Sequence, residues 1–150
     1  MTSKVLPADG KFFGATFMYP LRVYFEDTDA EGVVYYANYL KYAERARSEC
    51  LRAMGINQKE IMQNERTGFI VRSCQIEYLG SAHLEDDLIV TMEVVEVGGA
   101  SMVLRQSILR GDEVLTLLEL KVVNLNLDTH RPARISAEIK EKTKAFTESA

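Results

Sequence analysis

Residues 21–55 read LRVYFEDTDAEGVVYYANYLKYAERARSECLRAMG and contain the pattern that decides the fold. The first five alternate between apolar and more polar positions and are rich in aromatic and β-branched residues, which predicts a strand ending near Glu26. From Asn38 onward the apolar spacing is helical, and Gly55 stands where a helix usually stops, so the sequence predicts a helix over 38–54. The residues predicted to share one side of that helix are Leu40, Ala43, Arg47, Cys50, Leu51 and Met54.

An acidic turn lies between the predicted strand and the predicted helix. Its carboxylates, Glu26, Asp27, Asp29 and Glu31, precede Gly32, which can take the backbone angles of a tight turn. The turn leads into a helix N-terminus, where free N–H groups and the positive end of the helix dipole favour negative charge. This arrangement suits a reaction in which an oxyanion develops.

Two simpler interpretations of the acidic turn remain open from the residues alone. Acidic residues before a helix are common as caps and dipole partners, so the turn is also consistent with a solvated surface. In addition, Asp27, Asp29, Glu31 and Gly32 match the opening of an EF-hand calcium loop. The twelfth loop position, however, is Asn38 rather than the usual glutamate, and a strand rather than a helix leads in.

Composition limits the class of protein. A chain of 150 residues predicts a single domain over 1–150, and a hydrophobic content of 47% is ordinary for a globular protein. The net charge of −4 argues against nucleic acid or an anionic membrane as a partner bound through a broadly basic surface. The start of the chain does not read as a secretory signal, and two cysteines do not make a disulfide framework. We therefore expect a reduced, cytoplasmic protein.

The remainder of the chain predicts a sheet built from hairpins. Residues 57–65 read as a short helix with Asn57 as its cap. Four further strands are predicted, within 69–79, 88–94, 102–109 and 114–127. Short turns between the later strands imply an antiparallel sheet carrying one long helix, which is an α+β architecture. Residues 1–16 are expected to form a loose lead-in, and residues 137–150 a charged tail that forms a short exposed helix or frays.

Several motifs within about residues 18–136 resemble one known family. The main ones are Val23-Tyr24-Phe25-Glu26-Asp27-Thr28-Asp29-Ala30, Gly32-Val33-Val34-Tyr35, Ala37-Asn38-Tyr39-Leu40 and Glu44-Arg45-Ala46-Arg47. Weaker similarities are Glu77-Tyr78-Leu79, Asp86-Asp87-Leu88 and Arg131-Pro132. On these residues the sequence resembles the hotdog-fold acyl-CoA thioesterases of the 4-hydroxybenzoyl-CoA thioesterase family. It is particularly similar to the YbgC branch, the Tol-Pal system-associated acyl-CoA thioesterases.

The resemblance implies a hotdog fold, in which a curved five-stranded antiparallel sheet wraps a long central helix. It implies an acyl-CoA substrate that is hydrolysed to the free acid and CoA, without a metal ion or redox cofactor. Homodimers with sheets joined edge to edge, assembling into a homotetramer with active sites at the dimer interface, are also implied. The YbgC branch adds an expected association with cell-envelope machinery.

The resemblance also assigns site residues. Asp29 would be the catalytic carboxylate, acting as a nucleophile or as a general base. The backbone N–H of Tyr36 would hold the oxyanion. The turn and substrate pocket would include Gly32, Val33, Tyr35 and Asn38, and the CoA phosphates would lie near Arg131 and Arg134.

Two departures from the YbgC pattern leave a second function open. Glu31 stands where glycine is usual, and it would disfavour the ionised form of Asp29 if its side chain pointed inward. Tyr36 stands where histidine is usual, which keeps the backbone donor but removes the imidazole. The alternative function is therefore a non-catalytic hotdog module that binds acyl-CoA or a partner protein at the cell envelope.

Overall fold

The computed structural model describes residues 6–147, so the ends of the predicted lead-in and tail, 1–5 and 148–150, lie outside it. The strands are β1 (Lys11–Phe13), β2 (Thr16–Arg22), β3 (Thr67–Tyr78), β4 (Asp87–Val97), β5 (Ser101–Arg110) and β6 (Glu113–Asn126). The helices are α1 (Asn38–Ala53), α2 (Gln58–Asn64) and α3 (Ala137–Thr147). The strands form one antiparallel sheet in the order β1-β2-β4-β5-β6-β3, and α1 packs against β2, β4 and β5. The predicted α+β hotdog arrangement is confirmed, with six strands rather than five.

The extra strand lies in the segment predicted to be loose. Gly14 has a φ of 61°, a left-handed backbone that glycine adopts without the steric penalty of a Cβ. It forms a two-residue turn with Ala15, and the flanking residues Phe13 and Thr16 pair across a hairpin. The prediction of a loose lead-in is therefore wrong for residues 11–13, because the glycine closes a hairpin there.

The first long strand, β2, ends at Arg22, earlier than the predicted end near Glu26. Val23 leaves the ladder and bonds to the loop before β4 instead. Its N–H donates to the carbonyl of Asp86 at 2.9 Å, and its own carbonyl accepts from the N–H of Glu85 at 3.1 Å. A single turn of 3-10 helix follows, so the chain reaches the acidic turn already bent away from the sheet.

The long helix spans the predicted residues, but its buried side differs from the prediction. Its buried residues, with the cap Met54, are Tyr39, Tyr42, Ala43, Ala46, Cys50 and Leu51. Leu40 was predicted to face inward but is 43% exposed, and Arg47 is only half-buried. Ala43 and Ala46 are fully buried, and these small side chains let the helix lie close to the sheet.

The two shorter helices complete the packing. The side chain of Asn57 accepts the N–H of Glu60 at 3.1 Å, which confirms the predicted cap of α2. Helix α3 contributes the buried Ile139 to a core cluster that also contains Phe17 and Met54. The predicted tail is thus a helix, and it packs on the core rather than standing exposed in solvent.

Candidate functional site

The loop around Asp29 is closed by its own hydrogen bonds. The N–H of Asp29 donates to the carbonyl of Val33 at 2.8 Å, and the N–H of Gly32 donates to the carbonyl of Asp29 at 3.1 Å. Gly32 has a φ of 78°, which a residue with a side chain rarely adopts. The Asp29 side chain turns back into this loop, where Oδ1 accepts the N–H groups of Glu31 at 2.9 Å and Val33 at 3.2 Å. Oδ2 has no hydrogen-bond partner within residues 6–147, so one carboxylate oxygen is fixed and the other is available.

The carbonyl of Asp27 joins this loop to the start of α1. It accepts the N–H of Tyr35 at 3.0 Å and the side-chain amide Nδ2 of Asn38 at 2.8 Å. The next N–H along the chain, that of Tyr36, has no acceptor in the described part of the protein. It precedes the first residue of α1, at the positive end of the helix dipole. The junction therefore presents a free backbone donor to an incoming negative charge.

Tyrosine rings form one wall of this junction. The ring centroids are 5.0 Å apart for Tyr35 and Tyr36, and 6.0 Å apart for Tyr36 and Tyr78. The hydroxyl of Tyr78 also donates to the carbonyl of Tyr36 at 3.3 Å, which ties the end of β3 to the helix start. The rings of Tyr35 and Tyr36 are 52% and 61% exposed in the single chain. A single chain therefore leaves this wall open to solvent.

Two buried tyrosines lie beneath the wall. The hydroxyl of Tyr39 accepts the N–H of Ala82 at 2.9 Å, and burial raises the pKa of Tyr39 even though this hydrogen bond acts in the opposite direction. Burial, and then the neighbouring Asp27 carboxylate, raises the pKa of Tyr42 strongly. Both phenols therefore stay protonated at neutral pH and serve as neutral polar groups under the acidic turn.

The loop of residues 81–86 supports the acidic turn from the other side. The N–H of Val34 donates to the carbonyl of Ala82 at 2.9 Å, and the N–H of Leu84 donates to the carbonyl of Gly32 at 2.9 Å. Val33 and His83 form an isolated antiparallel bridge between these two bonds. The position of the Asp29 loop therefore depends on the position of residues 81–86.

Arg110 fixes that supporting loop. Its Nη1 contacts the carbonyl of Ser81 at 3.0 Å and Oδ2 of Asp86 at 2.8 Å, and its Nη2 contacts Oε2 of Glu113 at 2.7 Å. Asp86 also accepts the N–H of His83 at 2.8 Å. Burial alone would raise the pKa of Asp86, but the hydrogen bonds from Arg110 and His83 and their charges outweigh it and hold the pKa below its ordinary value.

The structure brings most of the predicted site residues together. Asp29, Gly32, Val33, Tyr35, Tyr36 and Asn38 all belong to the loop and helix start described above. Arg131 and Arg134 are exposed and follow the far end of β6. That strand passes Tyr78 near its start and ends at Asn126, roughly 30 Å further along at the usual rise per residue. Within one chain, the two arginines are therefore not brought to the acidic turn.

Two residues of this site were not predicted from the sequence. No sequence pattern around Arg110 indicated its role, because its partners Ser81 and Asp86 are distant in sequence. Tyr78 lay in a weak family motif, but only the pairing of β3 with β6 shows that it reaches the start of α1.

The carboxylates of the possible calcium motif are engaged separately. Oδ2 of Asp27 accepts the N–H of Tyr24 at 2.8 Å, whereas Oδ1 of Asp29 bonds inside its own loop. No group of three or more His, Cys, Asp or Glu side chains placed to hold a metal ion occurs within residues 6–147. Over the same range, no helix combines the length and apolarity needed to cross a membrane.

Comparison with known proteins gives consistent matches over most of the chain. The family model of the thioesterase-like superfamily matches residues 23–143. The acyl-CoA thioesterase YbgC of Haemophilus influenzae is 40% identical over 124 residues, covering 83% of this chain and 91% of that protein. The acyl-CoA thioester hydrolase YbgC of Escherichia coli is 40% identical over 131 residues, covering 83% of this chain and 96% of that protein. The crystal structure of a probable thioesterase from Bartonella henselae superposes on this chain with a TM-score of 0.77 and is 32% identical in sequence. The match covers 81% of this chain and 100% of the Bartonella chain.

We expect Arg110→Gln to lower the Tm at neutral pH by a few degrees, because residues 81–86 lose their ionic anchor. The lowered pKa of Asp86 means that this ion pair adds stability above the unfolded-state pKa, about 3.9, and that the gain is lost as the pH falls through the folded-state value. The Tm difference from wild type, followed by circular dichroism, should therefore shrink below about pH 4. Arg105→Gln, at an exposed arginine on the same strand, is the control. A difference that stays constant at every pH would contradict this role.

Proposed function

Because this chain belongs to the thioesterase-like superfamily, we propose that it hydrolyses the thioester of an acyl-CoA to the free acid and coenzyme A. The chain is a thioester hydrolase, since YbgC relatives that are 40% identical over most of both chains are named for that activity. One observation carries the proposal. The carboxylate of Asp29, with Oδ1 held by hydrogen bonds and Oδ2 available, lies on the same short segment as the unpaired N–H of Tyr36 at the start of α1.

In the proposed mechanism, Asp29 supplies the carboxylate that starts the reaction. Its available oxygen, Oδ2, either attacks the thioester carbonyl to form an acyl-aspartyl anhydride, or removes a proton from a water molecule that attacks instead. Both routes break the bond from carbon to sulfur and release the CoA thiolate, which then takes up a proton. On the first route, a water molecule then hydrolyses the anhydride, which releases the free acid and restores the Asp29 carboxylate. The two N–H groups on Oδ1 support either route, because they hold the carboxylate in one orientation.

The backbone N–H of Tyr36 is the proposed oxyanion donor. Attack on a thioester moves negative charge onto the carbonyl oxygen, and a donor that is already in place stabilises that charge without reorganisation. The Tyr36 N–H has no acceptor among the described residues, and it sits at the positive end of α1. Removal of one such donor typically costs about a hundred- to a thousandfold in rate.

A second copy of the chain completes the proposed enzyme. Strand β3 lies at the edge of the sheet and pairs only with β6 within the described residues, and its Ile70 and Val71 are 46% and 43% exposed. A long apolar edge of this kind is a template for pairing with another strand. Antiparallel pairing of two β3 strands would form one continuous sheet through a dimer.

Such pairing gives Arg131 and Arg134 a role. Thr67, at the start of β3, pairs with Asn126 at the end of β6, so both arginines follow the Thr67 end of the sheet. In an antiparallel pair, this end adjoins the Tyr78 end of the other copy. We therefore propose that Arg131 and Arg134 contact the phosphates of a CoA molecule that is bound at the site of the other copy.

Other features of the proposal rest on the resemblance to YbgC proteins. These are the cytoplasmic location, the assembly of dimers into tetramers, the absence of a metal or redox cofactor, and an association with the Tol-Pal envelope machinery. Glu31 is exposed, in accord with a carboxylate that points outward into solvent.

Asp29→Asn should lower kcat/KM for thiol release from acyl-CoA by at least about a hundredfold, because the amide cannot act as nucleophile or base. The assay panel contains short, long and aromatic acyl-CoAs, and Glu141→Gln, at an exposed carboxylate of α3, is the control. Unchanged rates in Asp29→Asn would remove Asp29 from the mechanism. Stable binding of acyl-CoA by wild type without turnover would favour the non-catalytic binding module.

Val71→Lys should weaken the proposed dimer at least about tenfold, because it places charges of like sign on two paired edge strands. Sedimentation velocity over a dilution series measures the change. Val95→Lys is the matched control, since Val95 is 47% exposed on β4, away from the sheet edge. A wild type that is monomeric at all concentrations would contradict the dimer, as would equal effects of the two variants.

A further inference from the structure

A largely apolar cavity lies between α1 and the end of the sheet at which β3 begins. Its volume is about 330 Å³, at the small end of the range for ligand pockets. Leu51, Met102, Leu104 and Val122 form much of the wall, and Phe69 and its neighbours on β3 form the mouth. A space of this size and character fits part of an acyl group, and it is too small for a whole CoA molecule.

The wall also carries polar residues, of which two are charged: Glu44 and Arg47, with Ser48 and Gln58 beside them. The guanidinium of Arg47 donates from Nη1 to Oε1 of Gln106 at 3.0 Å, and Nε2 of Gln106 donates to the carbonyl of Ala43 at 3.0 Å. Gln106 is completely buried, so this chain of bonds fixes the position of the arginine. Gln106 occupies the inward position between Leu104 and Ile108 on β5.

The charge of Arg47 is not neutralised by a contact within the chain. No carboxylate of the described residues lies within ion-pair distance of its guanidinium, and burial lowers its pKa while the charge of Glu44 opposes this effect. A guanidinium carries five N–H donors, and Gln106 accepts from one of them. Arg47 makes no ion pair with Glu44, the other charged residue of the wall, so a ligand carboxylate that reaches its free N–H donors would gain charge-assisted hydrogen bonds.

The mouth of the cavity lies at the edge where a second copy would pair. Phe69 and Val71 stand near the Thr67 end of β3, and Tyr78 stands at the other end. In an antiparallel pair, the mouth of one copy therefore adjoins Tyr78 of the other, whose hydroxyl bonds to the carbonyl of Tyr36. In the proposed dimer, the cavity of one chain would therefore lie next to the proposed thioester site of its partner.

We propose that this cavity holds the far end of the acyl group and that Arg47 selects acyl groups ending in a carboxylate. The inference rests on the proposed thioesterase function and names its substrate class. The planar guanidinium matches a carboxylate through paired N–H donors, while the apolar wall accommodates the methylene chain that joins the carboxylate to the thioester. Arg47 would act on specificity, and Asp29 would still carry the chemistry.

The test compares octanoyl-CoA with octanedioyl-CoA, which have the same chain length and differ at the far end. We expect wild type to prefer octanedioyl-CoA in kcat/KM, and Arg47→Met to reduce the ratio of the two values by about ten- to a hundredfold, the usual effect of a hydrogen bond to a charged group. Arg47→Lys keeps the charge but loses the planar fork, so its ratio should fall in between. Arg45→Met, at an exposed arginine on the same helix, should leave the ratio unchanged.

Three results would each overturn the inference. Wild type could hydrolyse octanoyl-CoA and octanedioyl-CoA with equal kcat/KM, or Arg47→Met could lower kcat/KM for both substrates by the same factor. The third is that Arg47→Met changes only the oligomeric state. If Arg47→Met does not fold, the ratio in Arg47→Lys decides the question.

A binding measurement separates this inference from the proposed function. Titration calorimetry compares free octanedioate and octanoate on wild type and Arg47→Met, with no turnover required. If wild type hydrolyses no thioester, the proposed function fails, whereas tighter binding of octanedioate that depends on Arg47 would still support the subsite. Equal binding of the two acids by wild type would overturn it.

Discussion

The carbonyl oxygen of Asp27 is the point on which the candidate site depends. It accepts hydrogen bonds from both the backbone of Tyr35 and the side chain of Asn38, and so it holds the acidic loop against the start of α1. With those donors satisfied, the next N–H, that of Tyr36, is left unpaired at the positive end of the helix dipole. The loop then closes on itself through Oδ1 of Asp29. The anchor of the loop and the two candidate catalytic groups thus belong to one short hydrogen-bonded segment.

The sheet contributes by bringing distant segments to this junction. The loop 81–86 bonds to residues on both sides of Gly32, and Arg110 of β5 holds that loop in place. The end of β3 reaches the carbonyl of Tyr36 through Tyr78. The other face of the junction is open in a single chain, and the exposed edge of β3 lies beside it. In the proposed dimer, a second copy of the chain would cover this open face.

Features encoded locally were predictable from the sequence, and features created by packing were not. The bounds of α1 and the Asn57 cap follow from nearby residues and were correct. The inward side of α1 was predicted in part: Ala43, Cys50, Leu51 and Met54 are buried as expected. Leu40 is exposed instead, and the rings of Tyr39 and Tyr42 are buried on that side. Asp29 and Tyr36 were identified through a family motif, whereas the anchoring by Arg110 depends on strand register, which one sequence does not reveal.

The central claim is that the N–H of Tyr36 is a pre-formed oxyanion donor, and amide proton NMR tests it most directly. The ligand is an acyl-CoA analogue in which a ketone replaces the thioester and which the protein cannot hydrolyse. If the claim is correct, saturation with this ligand should move the Tyr36 amide proton strongly downfield and leave the amide of Glu141, on α3, unchanged. Saturation binding that leaves the Tyr36 resonance in place would contradict the account.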